Sequence, residues 1–515
     1  MFKTFINSQS LRVLSVLLFL ASLVMTVSVA HSAEETITPT LDEQLSQAAE
    51  YCAEQKYSRG SALYRQVLQQ YSAQLAADHF LKIIQAQVDC DATDAAIDAL
   101  ISFTFIHPNI IEAQVLLAKL LSWHGRLLQA GEVADRILAI DPEHRQARLT
   151  KANVASWSGD FHTALPLFKQ LLEEEEDFDA RLGYTYALLA TGSYREAKFS
   201  RWWLYAAKVS KRHTTLELNQ ALIDQAQRNV SWKTEYLNDI SESKRLDHIL
   251  SFNLPFQRAG MTLSLRQQKA EDPWTAAPQD MNGLALEGHW RLDSVWRLSS
   301  ELAWVTAGSD QTIDELNLLL AATAQIRRWL WDVELSRELY DDSASILASQ
   351  IIRRDIYSHA QFKLNDWIRL NGELRGTDYS DDNRSYELVF RSRYALALMD
   401  PRIEIGYKHH QQGFQRQSGG GYFAPDKTMS HQLTLGFTHY SKNFEGSGEI
   451  FYGRQSTSIF AAEQTENIAG LTLDLSYNVM NSFGVNASVE GGNYALGKEN
   501  GYYYYLASLG ISVFF

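Results

Sequence analysis

Two hydrophobic rhythms divide this chain. From about residue 41 to 225 the apolar positions recur at helical spacing, whereas after about Ser231 apolar and polar residues alternate along short segments bounded by turn or charged clusters. The alternation is plainest at the end, where Leu509, Ile511, Val513 and Phe515 share one face and Ser508, Gly510 and Ser512 the other. Leu471, Leu473, Leu475 and Tyr477 oppose Thr472, Asp474 and Ser476 in the same way, and Ile403, Ile405 and Tyr407 oppose Arg402, Glu404 and Lys408. Counting such segments predicts sixteen strands, beginning near Trp232, Leu246, Gly260, Met281, Val295, Ile313, Trp329, Ser349, Trp367, Ser385, Pro401, Met429, Phe444, Asn467, Phe483 and Gly501. A single-chain barrel in a bacterial outer membrane has an even number of strands with apolar residues toward lipid and polar residues toward the lumen. A water-soluble barrel would use the same alternation with the faces exchanged, so periodicity alone leaves both open.

The helical part repeats itself. Trp123, Gly125, Leu127 and Ala130 return as Trp157, Gly159, Phe161 and Ala164, each 34 positions later, and Gly192, Tyr194 and Ala197 continue the series one residue out of step. Glycine suits the turn between two helices, and alanine lets helices approach. Tyr57, Tyr64, Val67, Ala96 and Pro108 fit the frame more loosely, giving four repeats and a divergent cap. This segment resembles tetratricopeptide proteins, which implies helical hairpins stacked in a solenoid whose concave face holds a peptide or partner.

Lys3 and Arg12 precede an apolar run from Val13 to Val29 that exits through Ser28-Val29-Ala30, which reads as a secretory signal peptide. The expected organisation is a signal peptide over 1–30, a linker over 31–40, the helical repeats over 41–228 and the barrel over 229–515. The fold class is multidomain α plus β, an α-solenoid followed by an antiparallel transmembrane β-barrel. Cys52 and Cys90 are the sole cysteines, too few for a thiolate metal site, and could equally be bridged or free. A net charge of −14 argues against nucleic acid as a partner.

Candidate chemistry sits mainly on the polar face of the strands. Arg266, Glu287, Arg291, Arg297, Glu301, Arg369, Glu373, Arg375, Glu387, Arg391, Arg393, Arg402, Glu404 and Lys408 are all expected in the lumen. Arg369, Arg375, Arg391, Arg393, Arg402 and Lys408, with Glu404, are the candidate pore lining. Such a row either attracts anionic groups on a passing chain or pairs with the interleaved glutamates and braces the wall. No Gly-x-Ser-x-Gly elbow or His-Glu-x-x-His helix occurs, and the adjacent His409 and His410 point to opposite faces of a strand, so neither an enzyme, a metal site nor a cofactor is expected.

Between the eleventh and twelfth strands lies Gly419-Gly420-Gly421-Tyr422-Phe423-Ala424-Pro425-Asp426-Lys427, which resembles a motif in the barrels of cellulose-secretion porins. With the order of signal, repeats and barrel, the chain resembles the tetratricopeptide-repeat outer-membrane porins that export cellulose and poly-N-acetylglucosamine. The Tyr usual a little after the motif's Pro is replaced by Thr428 or Met429. The resemblance implies exopolysaccharide export in biofilm formation, with outer-membrane lipid, the polymer and synthase proteins of the inner membrane or periplasm as partners. Gly421, Tyr422, Phe423 and Pro425 are then a candidate rim loop. Leu509, Ile511, Val513 and Phe515 resemble the terminal signal read by the barrel assembly machinery. The repeats are expected in the periplasm. Rival readings are a barrel exporting a protein or lipoprotein, and a plugged structural or adhesive surface barrel.

Overall fold

The computed structural model describes residues 40–515 apart from 72–74, 205–213, 216–217, 219–220, 223–227, 240–241, 309–311, 419–420, 442, 461, 481 and 494–502. The expected signal peptide lies outside the described residues, as do linker residues 31–39, Gly419, Gly420 and Tyr502.

Ten helices come first among the described residues: α1 (Leu41–Ala53), α2 (Tyr57–Tyr71), α3 (Ala77–Asp89), α4 (Thr93–Ile106), α5 (Ile111–Trp123), α6 (Leu127–Ile140), α7 (Arg145–Trp157), α8 (Phe161–Glu174), α9 (Phe178–Ala190) and α10 (Tyr194–Leu204). Local chemistry starts several of them. Thr40 and Glu43 form a reciprocal capping box on α1, and Asp160 and Asp177 accept backbone N–H bonds at the starts of α8 and α9. The repeat alanines are where the helices touch, since Ala130, Ala164 and Ala197 have no exposed surface. From α5 onward each helix packs on the next, and α7 also neighbours α5 and α9.

Packing divides the chain into two compact units between Ala96 and Ile97. In the first, a disulfide joins Cys52 to Cys90 across 38 positions, which settles the pairing that the sequence leaves open. Closing a loop of that size stabilises the fold by about 4 kcal/mol on chain-entropy grounds. Gly60 lies against both sulfur atoms, where a side chain has no room. The second unit joins the later hairpins to the strands, although strand structure starts only at Asn229. Direct contacts between those hairpins and the strand connections, described below, explain why packing does not divide where secondary structure changes.

The strands are β1 (Asn229–Asp239), β2 (Lys244–Phe256), β3 (Ala259–Glu271), β4 (Gln279–Arg291), β5 (Trp296–Ala307), β6 (Ile313–Ile326), β7 (Trp329–Leu339), β8 (Ile352–Lys363), β9 (Ile368–Tyr379), β10 (Arg384–Ala397), β11 (Arg402–Phe414), β12 (Lys427–Tyr440), β13 (Phe444–Ile459), β14 (Ala462–Met480), β15 (Phe483–Gly492) and β16 (Tyr504–Phe514). Each pairs antiparallel with its neighbours in sequence, and β16 pairs back to β1 through Leu509↔Thr234, Ile511↔Trp232 and Val513↔Val230, closing a sixteen-stranded barrel. No edge is left to be covered.

Which face points outward is visible in exposure. Leu265, Leu284, Trp304, Ile450 and Leu509 each leave roughly half of their surface uncovered and Leu433 more, while Asp247, Gln268, Asp355 and Gln432 on the other face are buried. In water that arrangement forfeits about 1 kcal/mol for each half-exposed large apolar side chain. Against hydrocarbon it is the stable one, and a closed barrel satisfies every strand hydrogen bond without water. The barrel is therefore of the outer-membrane type. Among the described residues no helix is long and apolar enough to cross a membrane.

Candidate pore

Alternation puts all fourteen ionisable residues expected in the lumen on the inward face, and register pairs several of them. Glu404 accepts from Arg369 at 2.6 Å and from Arg402 at 2.8 Å; Arg393 lies 3.3 Å from Glu449, and Arg391 3.8 Å from Glu373. Arg375 reaches Asp355 at 3.6 Å and Glu387 at 3.7 Å. Arg369, Arg375, Arg391, Arg393 and Arg402 thus each have a carboxylate within 4 Å. His410 joins them at 3.0 Å from Glu387, while His409 faces outward, so the two adjacent histidines are separated by the wall.

Arg369, Arg391, Arg393, Arg402 and Lys408 line a cavity of about 480 Å³ together with Glu404, Glu449, Asp474 and Glu490. Five cationic groups against four carboxylates leave this wall nearly neutral, with Thr434, Thr438, Ser447 and Thr472 as polar filling. The cavity follows β9 to β15. Glu449, Asp474 and Glu490 were not singled out from sequence, although the alternation around Asp474 places it inward.

The opposite wall is occupied. The connection from β7 to β8 folds inward, carrying a short helix, α11 (Ala344–Ser349), whose Ala344 and Leu347 pack on Met281, Ala303 and Val305 of the inner wall. Polar contacts hold it there. Arg266 meets Asp341 at 2.6 Å, Gln268 donates to the Asp341 carbonyl at 2.7 Å, and the Ser345 amide donates to Asp272 at 2.6 Å.

The candidate rim loop closes over this insert. Gly421 has φ +83° and abuts Ser345 of α11, with a Cβ there coming within 2.9 Å of the serine Cβ. Tyr422 is buried and stacks on Tyr379 at 4.7 Å between ring centres, with Tyr340 at 5.8 Å and Phe414 at 6.0 Å. Its hydroxyl donates to Asp381 at 2.9 Å and accepts from Asn383 at 3.1 Å. Burial pushes that hydroxyl above its ordinary pKa, so it remains a donor. The Pro425 carbonyl accepts from Phe414 at 3.1 Å, and Phe423 is half-buried in the same connection.

At the other end the helical hairpins sit on five successive strand connections. Gly125, Gly159 and Gly192, at φ +73°, +82° and +69°, turn the chain between paired helices and approach Met399, Gln325 and Arg258 respectively. The Arg258 amide donates to the Gly192 carbonyl at 2.8 Å, Gln325 donates to the Ser158 carbonyl at 3.2 Å, and Ser294 meets His162 at 3.4 Å. Asp366, between β8 and β9, accepts from the amides of Leu128 and Gln129 at 2.7 and 3.1 Å. These are first-turn N–H groups of α6, whose own cap position, Arg126, supplies no acceptor. Two tryptophans noted in the sequence merely as repeat markers stand beside this seam: Trp123 and Trp157, each 53% exposed, end the neighbouring helices α5 and α7.

No family model matches the chain, and no curated protein matches it. Among solved structures it is similar to a bacterial polysaccharide outer membrane secretin, at 11% identity over 56% of this chain and 99% of that one, with a TM-score of 0.46. A tetratricopeptide repeat protein from Parabacteroides merdae aligns at 17% identity over 36% of this chain and 71% of that one, TM-score 0.30. The CymD monoaromatic hydrocarbon channel aligns at 11% identity over 58% and 92%, TM-score 0.33. The chain itself combines helical repeats with an outer-membrane-type barrel, the architecture its two hydrophobic rhythms predict.

Proposed function

We propose that this protein is an outer-membrane export pore passing an exopolysaccharide from periplasm to surface, with the repeats forming its entrance. The observation that carries the reading is the seating of the hairpins on five connections at one end of a barrel whose lumen is polar and nearly charge-neutral. An uncharged, hydroxyl-rich polymer exchanges hydrogen bonds with such a wall without being trapped by one sign of charge. Trp123 and Trp157 offer ring faces on which pyranose C–H faces can pack at the entrance. The insert α11 takes up part of the lumen, which leaves less room for a folded lipoprotein and favours an extended polymer over protein export.

The repeats then belong in the periplasm, where they hand on polymer or bind a synthase component. Comparing polymers secreted by wild-type and deletion cells tests the reading; identical secretion overturns it. Trp123→Ala combined with Trp157→Ala is expected to lower secretion while leaving the protein folded and inserted, because both rings are half exposed.

A further inference from the structure

The lipid-facing surface carries a group of cations that the pore does not use. Along β12 the outward positions read Lys427, Met429, His431, Leu433, Leu435, Phe437 and His439, an apolar band with a histidine at each edge. From His431 to His439 is eight residues, a height of about 20 Å at about 3.3 Å per residue and a tilt near 40°. Both histidines therefore lie near the two interfaces.

The two edges differ in how charge is met. At the edge nearer the helices, His439 has a carboxylate partner, Asp400, at 2.8 Å. At the far edge His409, His431 and Arg454 are aligned in register on β11, β12 and β13. The imidazoles of His409 and His431 approach to 3.4 Å, and the Tyr407 hydroxyl lies 2.6 Å from His431. Among the described residues no carboxylate lies within ion-pair distance of Arg454 or Lys427, and both side chains are exposed. An unpaired guanidinium on the lipid face is tolerated only at the interface, and there it favours an anion from the membrane itself.

We propose that His409, His431 and Arg454, with Lys427 beside them, bind the phosphate of a glycolipid in the outer leaflet. The far edge is the one with the long β7–β8, β11–β12 and β15–β16 connections, the surface-facing end of an outer-membrane barrel. A phosphate presents three acceptor oxygens, and the guanidinium and ammonium can donate charge-assisted hydrogen bonds to it beside the imidazole N–H groups. The site depends on the barrel spanning the outer membrane and is independent of what the pore exports.

Full-length protein in detergent should be offered bis-phosphorylated lipid A, its dephosphorylated counterpart, phosphatidylglycerol and inorganic phosphate, with bound species read by native mass spectrometry. The wild type is expected to retain the phosphorylated glycolipid over the other three. His431→Gln with Arg454→Gln should lower retention by about tenfold or more, and Arg454→Lys should keep part of it. The heat-modifiable mobility of a folded barrel serves as the control for both variants. Equal retention of the dephosphorylated lipid, or unchanged retention by the double variant, overturns the proposal. So does phosphatidylglycerol or free phosphate binding as well as the glycolipid.

Discussion

The two walls of the barrel obey one alternation and do different things. From β9 to β15 the inward positions carry Arg369, Arg393, Arg402, Glu404, Glu449 and Asp474 around open space. On β3 to β5 the inward positions toward the end away from the helices are Ala270, Met281, Ala303, Val305 and Ala307, and α11 is packed on them. Alternation thus says which residues face in, while their size and polarity say whether they face water or protein. A small apolar run on the lumenal face of a membrane barrel marks something folded inside.

The comparison breaks most visibly if the insert is removed. Replacing residues 341–350 by a short Gly-Ser linker should raise single-channel conductance severalfold and expose Met281, Ala303 and Val305 to water. Unchanged conductance would mean that the insert does not narrow the path. On the open wall the sensitive position is Glu404, because it serves both Arg369 and Arg402. Glu404→Gln should shift the reversal potential toward anions and cost about 1–3 kcal/mol, the penalty for leaving partly buried charge unmet. An unchanged reversal potential would show that the arginines are neutralised by other groups.

How much of this was legible in the sequence follows from the range of each interaction. Strand starts depend on local alternation, and those expected near Ile313, Trp329 and Phe444 fall on the observed residues. The start expected near Asn467 is really Ala462, because β14 extends through Glu463, Gln464 and Thr465, polar residues that hide the alternation. The lumenal residues followed from parity, but their pairing did not, since Arg393 and Glu449 are far apart in sequence and meet only through register. The seating of the hairpins left a fainter trace. Position 160 of one repeat is a capping Asp, whereas the equivalent position 34 residues earlier is Arg126, which cannot accept a hydrogen bond. A repeat that lacks its own cap is a sign that the acceptor comes from elsewhere, here Asp366.

Two contacts at this seam separate a bond that holds from one that merely exists. Asp366 satisfies two first-turn amides of α6 that have no acceptor within the helix, so Asp366→Ala should cost about 1 kcal/mol and speed hydrogen exchange at Leu128 and Gln129. Asp366→Asn should restore most of the protection, because the amide oxygen still accepts. Arg328 and Glu132 also bridge barrel and helix, at 3.5 Å, but with side chains 38% and 66% exposed. Water already solvates both charges, and holding two long side chains in one geometry offsets most of the attraction. Arg328→Ala should therefore leave exchange in α6 within a factor of about two, the size of a surface pair worth less than about 0.5 kcal/mol. A larger response to Arg328→Ala than to Asp366→Ala would show that charge, rather than the capping of α6, seats the repeats on the barrel.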